Sequence, residues 1–295
     1  MLYALIILPG LSTHEESRSD MYLRHFVPRA GLAGLALAAA ACGDSTGVGR
    51  PGVVSVDFRV SGSGGVVAAA PGPTTATAPQ RVAGPPLVIA GTNGTLTIDE
   101  ILIIIDEVEL HRADGSCDDD GPLDDDCGDF ETPPRFLDLP LDGEPLAGVT
   151  TTLPAGAYKS LDFEVEDLED DESDPAKAAA IEAVRAQILA IVPDWPRKAS
   201  TLVTGSFAPS AGGSIDFRVF LEAEIEVELD LVPTLVVSED GEVSRDITVD
   251  VAPEIWFRRA DGSVLPLHLY DYDQTNQLLE FELEMEDGFT EIEFD

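Results

Sequence analysis

One stretch of seventeen residues alternates between apolar and polar side chains. From Ile215 to Leu231 every odd position is apolar, and the even positions are acidic apart from Arg218 and Phe220. A period of two is typical of a β-strand with one buried and one solvated face. At ~3.3 Å per residue a single strand would reach about 56 Å, longer than strands usually are. We therefore expect the strand to bend between sheets or break near Leu221.

Other segments also favour strands. Residues 87–90 and 95–98 are two short apolar runs joined through Asn93-Gly94, a pair that suits the type I′ turn of a β-hairpin. Between Glu100 and Arg112 the apolar parity changes at Asp106-Glu107, which predicts one long strand with a central β-bulge. Further strands are predicted at 53–60, 135–139, 158–165, 200–207, 235–237, 247–251 and 255–257, with Trp256 or Phe257 in the core.

One helix is predicted near 175–192. Asp174 is a good N-cap, Pro175 suits the first helical position, and Pro193 ends the segment. Ile181, Val184 and Ile188 form an apolar stripe at helical spacing. We expect this helix to cover an edge or an end of the sheets.

Several of these segments resemble an uncharacterised bacterial lipoprotein domain family. The similar parts are Thr95-Leu96-Thr97-Ile98, Ile105 to Arg112, Phe136-Leu137-Asp138-Leu139 and Leu-Pro-Ala-Gly-Ala-Tyr at 153–158. The resemblance covers Val53 to about Phe257. It implies a mainly β fold, an antiparallel Greek-key β-sandwich of the transthyretin (prealbumin) type, and a place in the cell envelope. It implies no catalytic or binding residues.

The N-terminal region predicts export. An apolar run of about twelve residues follows Arg29 and ends in small residues directly before Cys42, which is the layout of a secretory signal with its cleavage site. A cysteine at that place resembles a lipoprotein box, in which Cys42 would be acylated and anchor the chain in the cell envelope. The outer membrane is the expected site of the anchor. The alternative is ordinary cleavage after Ala39-Ala40-Ala41, which would leave a soluble secreted protein.

The expected organisation follows from these features. Residues 1–20 contain acids that do not fit a signal sequence, so Met21 is the expected start. The segments are 21–41 as signal peptide, 42–52 as lipidated tether, 53–257 as the sandwich with a flexible insertion at 61–85 and an acidic loop at 113–134, and 258–295 as an acidic C-terminal extension forming a hairpin.

Charge and cysteine content narrow the function. The chain has 17 basic and 56 acidic residues, a net charge of −39, which excludes binding to nucleic acid because that depends on neutralising phosphates. Outside the cytoplasm, Cys117 and Cys127 are expected to form a disulfide, since Cys42 is used by the anchor.

Clusters of aspartates suggest calcium as a ligand. The acids are Asp118, Asp120, Asp124 and Asp126 around the disulfide, and Asp271 and Asp273 near the C-terminus. Hard carboxylate oxygens are calcium ligands, but neither cluster has complete EF-hand spacing. The simpler interpretation is a solvated loop, with no cofactor.

No catalytic motif is present, and His111 and His268 have no nucleophile at a recognisable spacing. We therefore expect a non-enzymatic envelope lipoprotein whose β-sandwich is a binding or structural module, with an envelope protein or a glycan as the candidate partner. The alternatives are a calcium-dependent adhesion or sensor protein and, last, an envelope hydrolase. The sequence leaves the oligomeric state open.

Overall fold

A computed structural model describes residues 50–61, 85–113, 130–168 and 174–294. The predictions about Cys42, the Cys117–Cys127 disulfide, most of the insertion and the four aspartates of the acidic loop lie outside these ranges. Within them, no helix is both long and apolar enough to cross a membrane.

The described residues form a mainly β structure, as the sequence predicts. In chain order the strands are β1 (Gly52–Val60), β2 (Leu87–Gly91), β3 (Gly94–Ile105), β4 (Val108–Arg112), β5 (Phe130–Glu131), β6 (Arg135–Asp138), β7 (Leu146–Leu153), β8 (Gly156–Val165), β9 (Thr201–Pro209), β10 (Ile215–Glu222), β11 (Ile225–Val237), β12 (Ile247–Val251), β13 (Leu279–Glu280) and β14 (Phe289–Phe294). The helices are α1 (Pro175–Ile191), α2 (Pro253–Phe257), α3 (Tyr272–Thr275) and α4 (Leu283–Glu286), with a 3₁₀-helix at Leu267–Tyr270.

The strands make three sheets. The first has the order β14-β12-β1-β7, the second β13-β10-β9-β3-β2 with β6 also on β3, and the third β11-β8-β4-β5. Most ladders are antiparallel, but β1 pairs with β12 and β10 pairs with β13 in parallel. Side chains alternate in the same way in parallel and antiparallel strands. The sequence pattern therefore did not predict these two parallel pairs. The Greek-key connectivity stays a prediction.

One apolar core joins the three sheets. Phe58 of the first sheet packs edge-on against Phe163 of the third, with ring centroids 5.5 Å apart. Phe163 in turn packs against Phe289. The same core includes buried residues of the second sheet, such as Ile101 and Val219. The result is a β-sandwich-like body in which each sheet turns one face inward.

The chain passes from the second sheet to the third at two places, between β3 and β4 and between β10 and β11. These two passages form a corner of the sandwich. The long alternating stretch breaks between β10 and β11, at Ala223-Glu224, which confirms the expected break near Leu221. The chain also changes sheet between β3 and β4, at Asp106-Glu107. The predicted single strand from Glu100 to Arg112 with a bulge there is therefore wrong. The parity changes because β3 and β4 face the core from different sheets.

Helix α1 covers a face of the second sheet rather than the edge or end that the sequence predicted. The side chain of Asp174 accepts hydrogen bonds from the backbone N–H groups of Ala176 and Lys177, which confirms the N-cap. The predicted apolar stripe is buried against the outward side of the sheet, in a second core that includes Leu102, Ile104, Phe136 and Phe220.

The C-terminal region corrects two predictions. The strands β13 and β14 do not pair with each other as the predicted C-terminal hairpin requires, because β14 pairs with β12 and β13 pairs with β10. Residues 255–257 are part of helix α2 rather than a strand. Trp256 and Phe257 are nevertheless buried in the main core, as predicted.

Candidate functional site: the acidic face of the third sheet

Four carboxylates lie side by side across the third sheet. Glu131 of β5 is the register partner of Glu109 of β4, Glu109 is opposite Asp162 of β8, and Asp162 is opposite Glu228 of β11. In the next row Glu164 is opposite Glu226. We call these six residues the acidic face.

Strand alternation determines which way these side chains point. Their sequence neighbours, such as Leu110, Phe163 and Val227, are buried in the core. The acids between them therefore point away from the core. Like charges directly opposite each other on a sheet are destabilising, so a row of four carboxylates is not what stability alone would favour.

A histidine and a lysine contact this face. His111 Nε2 lies 2.8 Å from Asp162 Oδ2 and 3.6 Å from Glu109 Oε2. The ammonium group of Lys177, from the first turn of α1, pairs with Glu131. These contacts offset part of the negative charge, and His111 does so fully only when it is protonated.

Six carboxylates at the corner between the second and third sheets form two triads. The first triad is Asp106, Glu164 and Glu166, and the second is Glu107, Glu109 and Glu131. Within each triad one oxygen of every residue lies within 4.8 Å of the others. Backbone hydrogen bonds hold the corner: Asp106 N–H donates to Glu164 O, and Glu164 N–H donates to Glu107 O.

Burial, together with nearby acids, raises the pKa of two carboxyl groups in this region. Burial, a hydrogen bond with Glu109 and repulsion from Glu131 raise the pKa of Glu107 to about 8. Burial also raises the pKa of Asp162, although the neighbouring His111 opposes the shift. Only the part of the Glu107 pKa shift that comes from the neighbouring carboxylates is repulsion that a bound cation, like a proton, would relieve.

The aspartates predicted as calcium ligands near the C-terminus lie outside both the acidic face and the two triads. Asp271 is buried, and its carboxylate accepts hydrogen bonds from the Arg218 backbone N–H and the Gln274 amide. Asp273 forms an ion pair with Arg218, 3.2 Å between Nη1 and Oδ1. Asp271 and Asp273 thus bind protein donors, and the calcium prediction for them stays a prediction.

The two histidines that the sequence singled out lie apart in the fold. His111 belongs to the acidic face, whereas the ring of His268 stacks on Phe207, with centroids 4.8 Å apart. Sequence analysis missed the triads, because the register that brings β4, β5 and β8 together is not visible in the sequence. Alternating acids at 107–109 and 162–166 were the available signal.

Comparisons with known proteins add little. No family model matches the chain, and no curated protein matches it. Among solved structures, MbnP from Methylosinus trichosporium is similar over 68% of this chain and 76% of its own, with 16% identity and a TM-score of 0.33. A similarity at that level supports no inference about function.

Proposed function

We propose that this chain is an exported, lipid-anchored protein of the cell envelope, attached at Cys42, whose sandwich binds a cationic partner through the acidic face. The export signal and the cysteine after it support the location. The cross-strand row of Glu131, Glu109, Asp162 and Glu228 is the observation that carries the binding role. A basic envelope protein would relieve the electrostatic repulsion among these four carboxylates.

The anchor is tested by growing cells with labelled palmitate. The protein is expected to carry the label, and Cys42→Ser is expected to lose it. A chain that stays unlabelled while still being exported would contradict the anchor and favour the soluble secreted alternative.

The binding role is tested with two variants of equal net charge. One removes three charges from the acidic face: Glu109→Gln, Asp162→Asn and Glu228→Gln. The control removes three exposed charges elsewhere: Asp99→Asn, Glu239→Gln and Glu286→Gln. With a decalysine peptide as probe, at physiological salt, the first variant should lose affinity and the control should nearly retain it. Equal losses would mean that the probe senses only net charge, and the proposed surface would be wrong.

A second candidate is calcium binding at the two triads, in place of the aspartate-rich loops. The observation in its favour is the 4.8 Å grouping of carboxylate oxygens, which are the ligands that calcium takes. Calorimetry with calcium chloride should give heat that Glu107→Gln with Glu166→Gln abolishes. The loop variant Asp118→Asn with Asp120→Asn should not change that heat. If the loop variant loses the heat and the triad variant keeps it, the calcium site lies in the loop. If the unmodified protein gives no heat at millimolar calcium, neither the triads nor the loop binds calcium.

A further inference from the structure

The ammonium group of Lys177 occupies one end of the acidic face. It pairs with Glu131 of β5, the edge strand of the third sheet. It also acts on Glu107, where burial raises the pKa of the carboxyl group most strongly and Lys177 opposes the rise. The chain thus already places on this face, from its own helix α1, the kind of group that a cationic partner would bring.

The position of Lys177 does not favour the helix that carries it. Lys177 is the third residue of α1, and its backbone N–H donates to Asp174 Oδ1 at 3.0 Å. A helix N-terminus carries partial positive charge, so it favours anions and disfavours cations. The first turn of α1 nevertheless has no acid and has this one lysine. Pairing with Glu131, rather than helix formation, accounts for a cation at this place.

The contact between Lys177 and Glu131 is exposed to water. The Lys177 side chain is 47% exposed and that of Glu131 is 39% exposed. Ion pairs at such positions are weak, because solvent screens both charges. The cap fixes the backbone of Lys177, but its four-carbon stem is flexible. The ammonium group can therefore leave Glu131 by side-chain rotation alone.

The cross-strand row is occupied unevenly. His111 contacts its middle and Lys177 contacts its end at β5, whereas Glu228 at the other end is exposed. Neighbouring strands are about 4.8 Å apart, so four strands place the two ends about 14 Å from each other. About five residues of an extended peptide cover that length. A basic segment that begins at Glu228 thus reaches Glu131.

We propose that Lys177 is an internal competitor of the cationic partner, and that a basic segment bound along the row displaces its ammonium group from Glu131. This inference rests on the proposed binding role of the acidic face and adds how that site is regulated. Each cation that binds at Glu131 must replace the one that leaves. The contact therefore lowers the affinity of the face and favours partners that reach the whole row.

The test is the binding of a fluorescent decalysine peptide at physiological salt, followed by anisotropy. The protein is the full chain carrying Cys42→Ser, so that no acyl group takes part. Lys177→Gln removes the competitor and should raise the affinity about two- to fivefold, the range that exposed ion pairs contribute. Lys177→Arg keeps a cation at the same place and should leave the affinity unchanged.

A matched control removes the same charge elsewhere. Arg259 is exposed and belongs to the segment that packs on the turn between β2 and β3, where Thr92 N–H donates to Gly262 O. Arg259→Gln should change the affinity far less than Lys177→Gln, because salt screens charges that lie more than about 10 Å from the bound peptide.

A double-mutant cycle separates displacement from a simple change of charge. With Lys177 present, Glu131→Gln should cost little affinity, because the lysine already neutralises that carboxylate. In the Lys177→Gln background, Glu131→Gln should remove most of the gain. If Lys177 acts only as a nearby positive charge, Glu131→Gln will lower the affinity by the same factor in both backgrounds.

Circular dichroism verifies that every variant is folded. Equal effects of Lys177→Gln and Arg259→Gln, or equal factors for Glu131→Gln in both backgrounds, would overturn the competition and leave the acidic face as the binding surface. The face itself is judged by the variant with Glu109→Gln, Asp162→Asn and Glu228→Gln. If that variant loses no more affinity than its charge-matched control, the proposed surface and the competition at Glu131 are both wrong.

Discussion

The side chain of Asn93 pairs with the backbone of Val264 as a neighbouring strand would. Its Nδ2–H donates to Val264 O at 2.8 Å, and its Oδ1 accepts from Val264 N–H at 2.9 Å. Asn93 lies in the hairpin turn between β2 and β3, and Val264 lies 171 residues later. This pair attaches the C-terminal region to the second sheet.

Replacing Asn93 should therefore weaken the fold as a whole. Asn93→Ala removes both hydrogen bonds and leaves the Val264 groups without these partners, which we expect to cost about 1–3 kcal/mol in the free energy of unfolding. Urea denaturation measures this loss. Thr92→Ala, at the exposed neighbouring turn position, is the control and should change stability far less.

Tyr158 closes the turn that begins at Pro154. Its hydroxyl donates to the Pro154 carbonyl oxygen at 2.9 Å, and its ring is fully buried under the Arg112 guanidinium. Tyr158→Phe keeps the packing but removes that hydrogen bond, so we expect a loss of about 1 kcal/mol. Tyr270→Phe serves as the comparison. If both variants lose the same free energy of unfolding, the hydrogen bond from Tyr158 to Pro154 makes no specific contribution to stability.

The contribution of Glu107 to the stability of the fold should fall as pH rises. Its pKa is about 8 in the folded protein and ordinarily 4.5, so the folded state retains a proton that the unfolded state has lost. The contribution of Glu107 is then full below about pH 4.5 and declines up to about pH 8. Glu107→Gln should be more stable than the wild type, by a margin that grows across this range and then levels off.

Denaturation midpoints at pH 5, 7 and 9 measure that margin. Glu224→Gln, which removes an exposed charge at the break between β10 and β11, is the control and should show no comparable growth. A constant margin for Glu107→Gln at all three values would show that the corner does not retain a proton.

The opposite dependence is expected at Asp194. Arg218 donates two hydrogen bonds to its carboxylate, at 2.6 and 2.7 Å, and holds the pKa of Asp194 below its usual value. A lowered pKa contributes stability above the unfolded value, and this is lost as pH falls through the folded value. Asp194→Asn should destabilise the protein at neutral pH and converge with the wild type in acid. Asp99→Asn should show no such convergence.

Gly288 lets Trp256 reach its buried position. A Cβ at Gly288 would collide with the Trp256 indole, whose Nε1–H donates to Met285 O at 2.9 Å. We expect Gly288→Ala to cost about 1–3 kcal/mol or more, as overpacking does. Gly212→Ala is the comparison, since a Cβ there meets nothing within 4 Å and only its positive φ of 94° opposes the change, at about 1 kcal/mol. Thermal unfolding measures both.

Parts of the sequence that carry a strong local signal predicted the structure well. The cap at Asp174 and the stripe at Ile181, Val184 and Ile188 predicted α1, because both depend on residues within a few positions of each other. The break in the alternating stretch was expected from length alone. By contrast, the Asn-Gly turn was expected to provide a positive φ at Asn93, but Thr92 and Asn93 occupy the turn and Asn93 is not a positive-φ residue.

The candidate site was harder to predict from the sequence than the strands and the helix were. Alternation showed that Glu109, Asp162 and Glu228 would leave the core, yet nothing in the sequence placed them in one row. Their proximity depends on the register of β4, β8 and β11, which are more than a hundred residues apart at their extremes.

The sequence by itself determined the alternating and helical periods, and with them most of the longer strands, helix α1 and the apolar face of each. Burial of that apolar face is a local requirement, so it can be read residue by residue. Only the tertiary structure decided which strands are neighbours, that β3 and β4 belong to different sheets, and that β14 completes the first sheet. Those choices depend on how apolar faces from distant segments fill one common core, and a period of two is compatible with many such pairings.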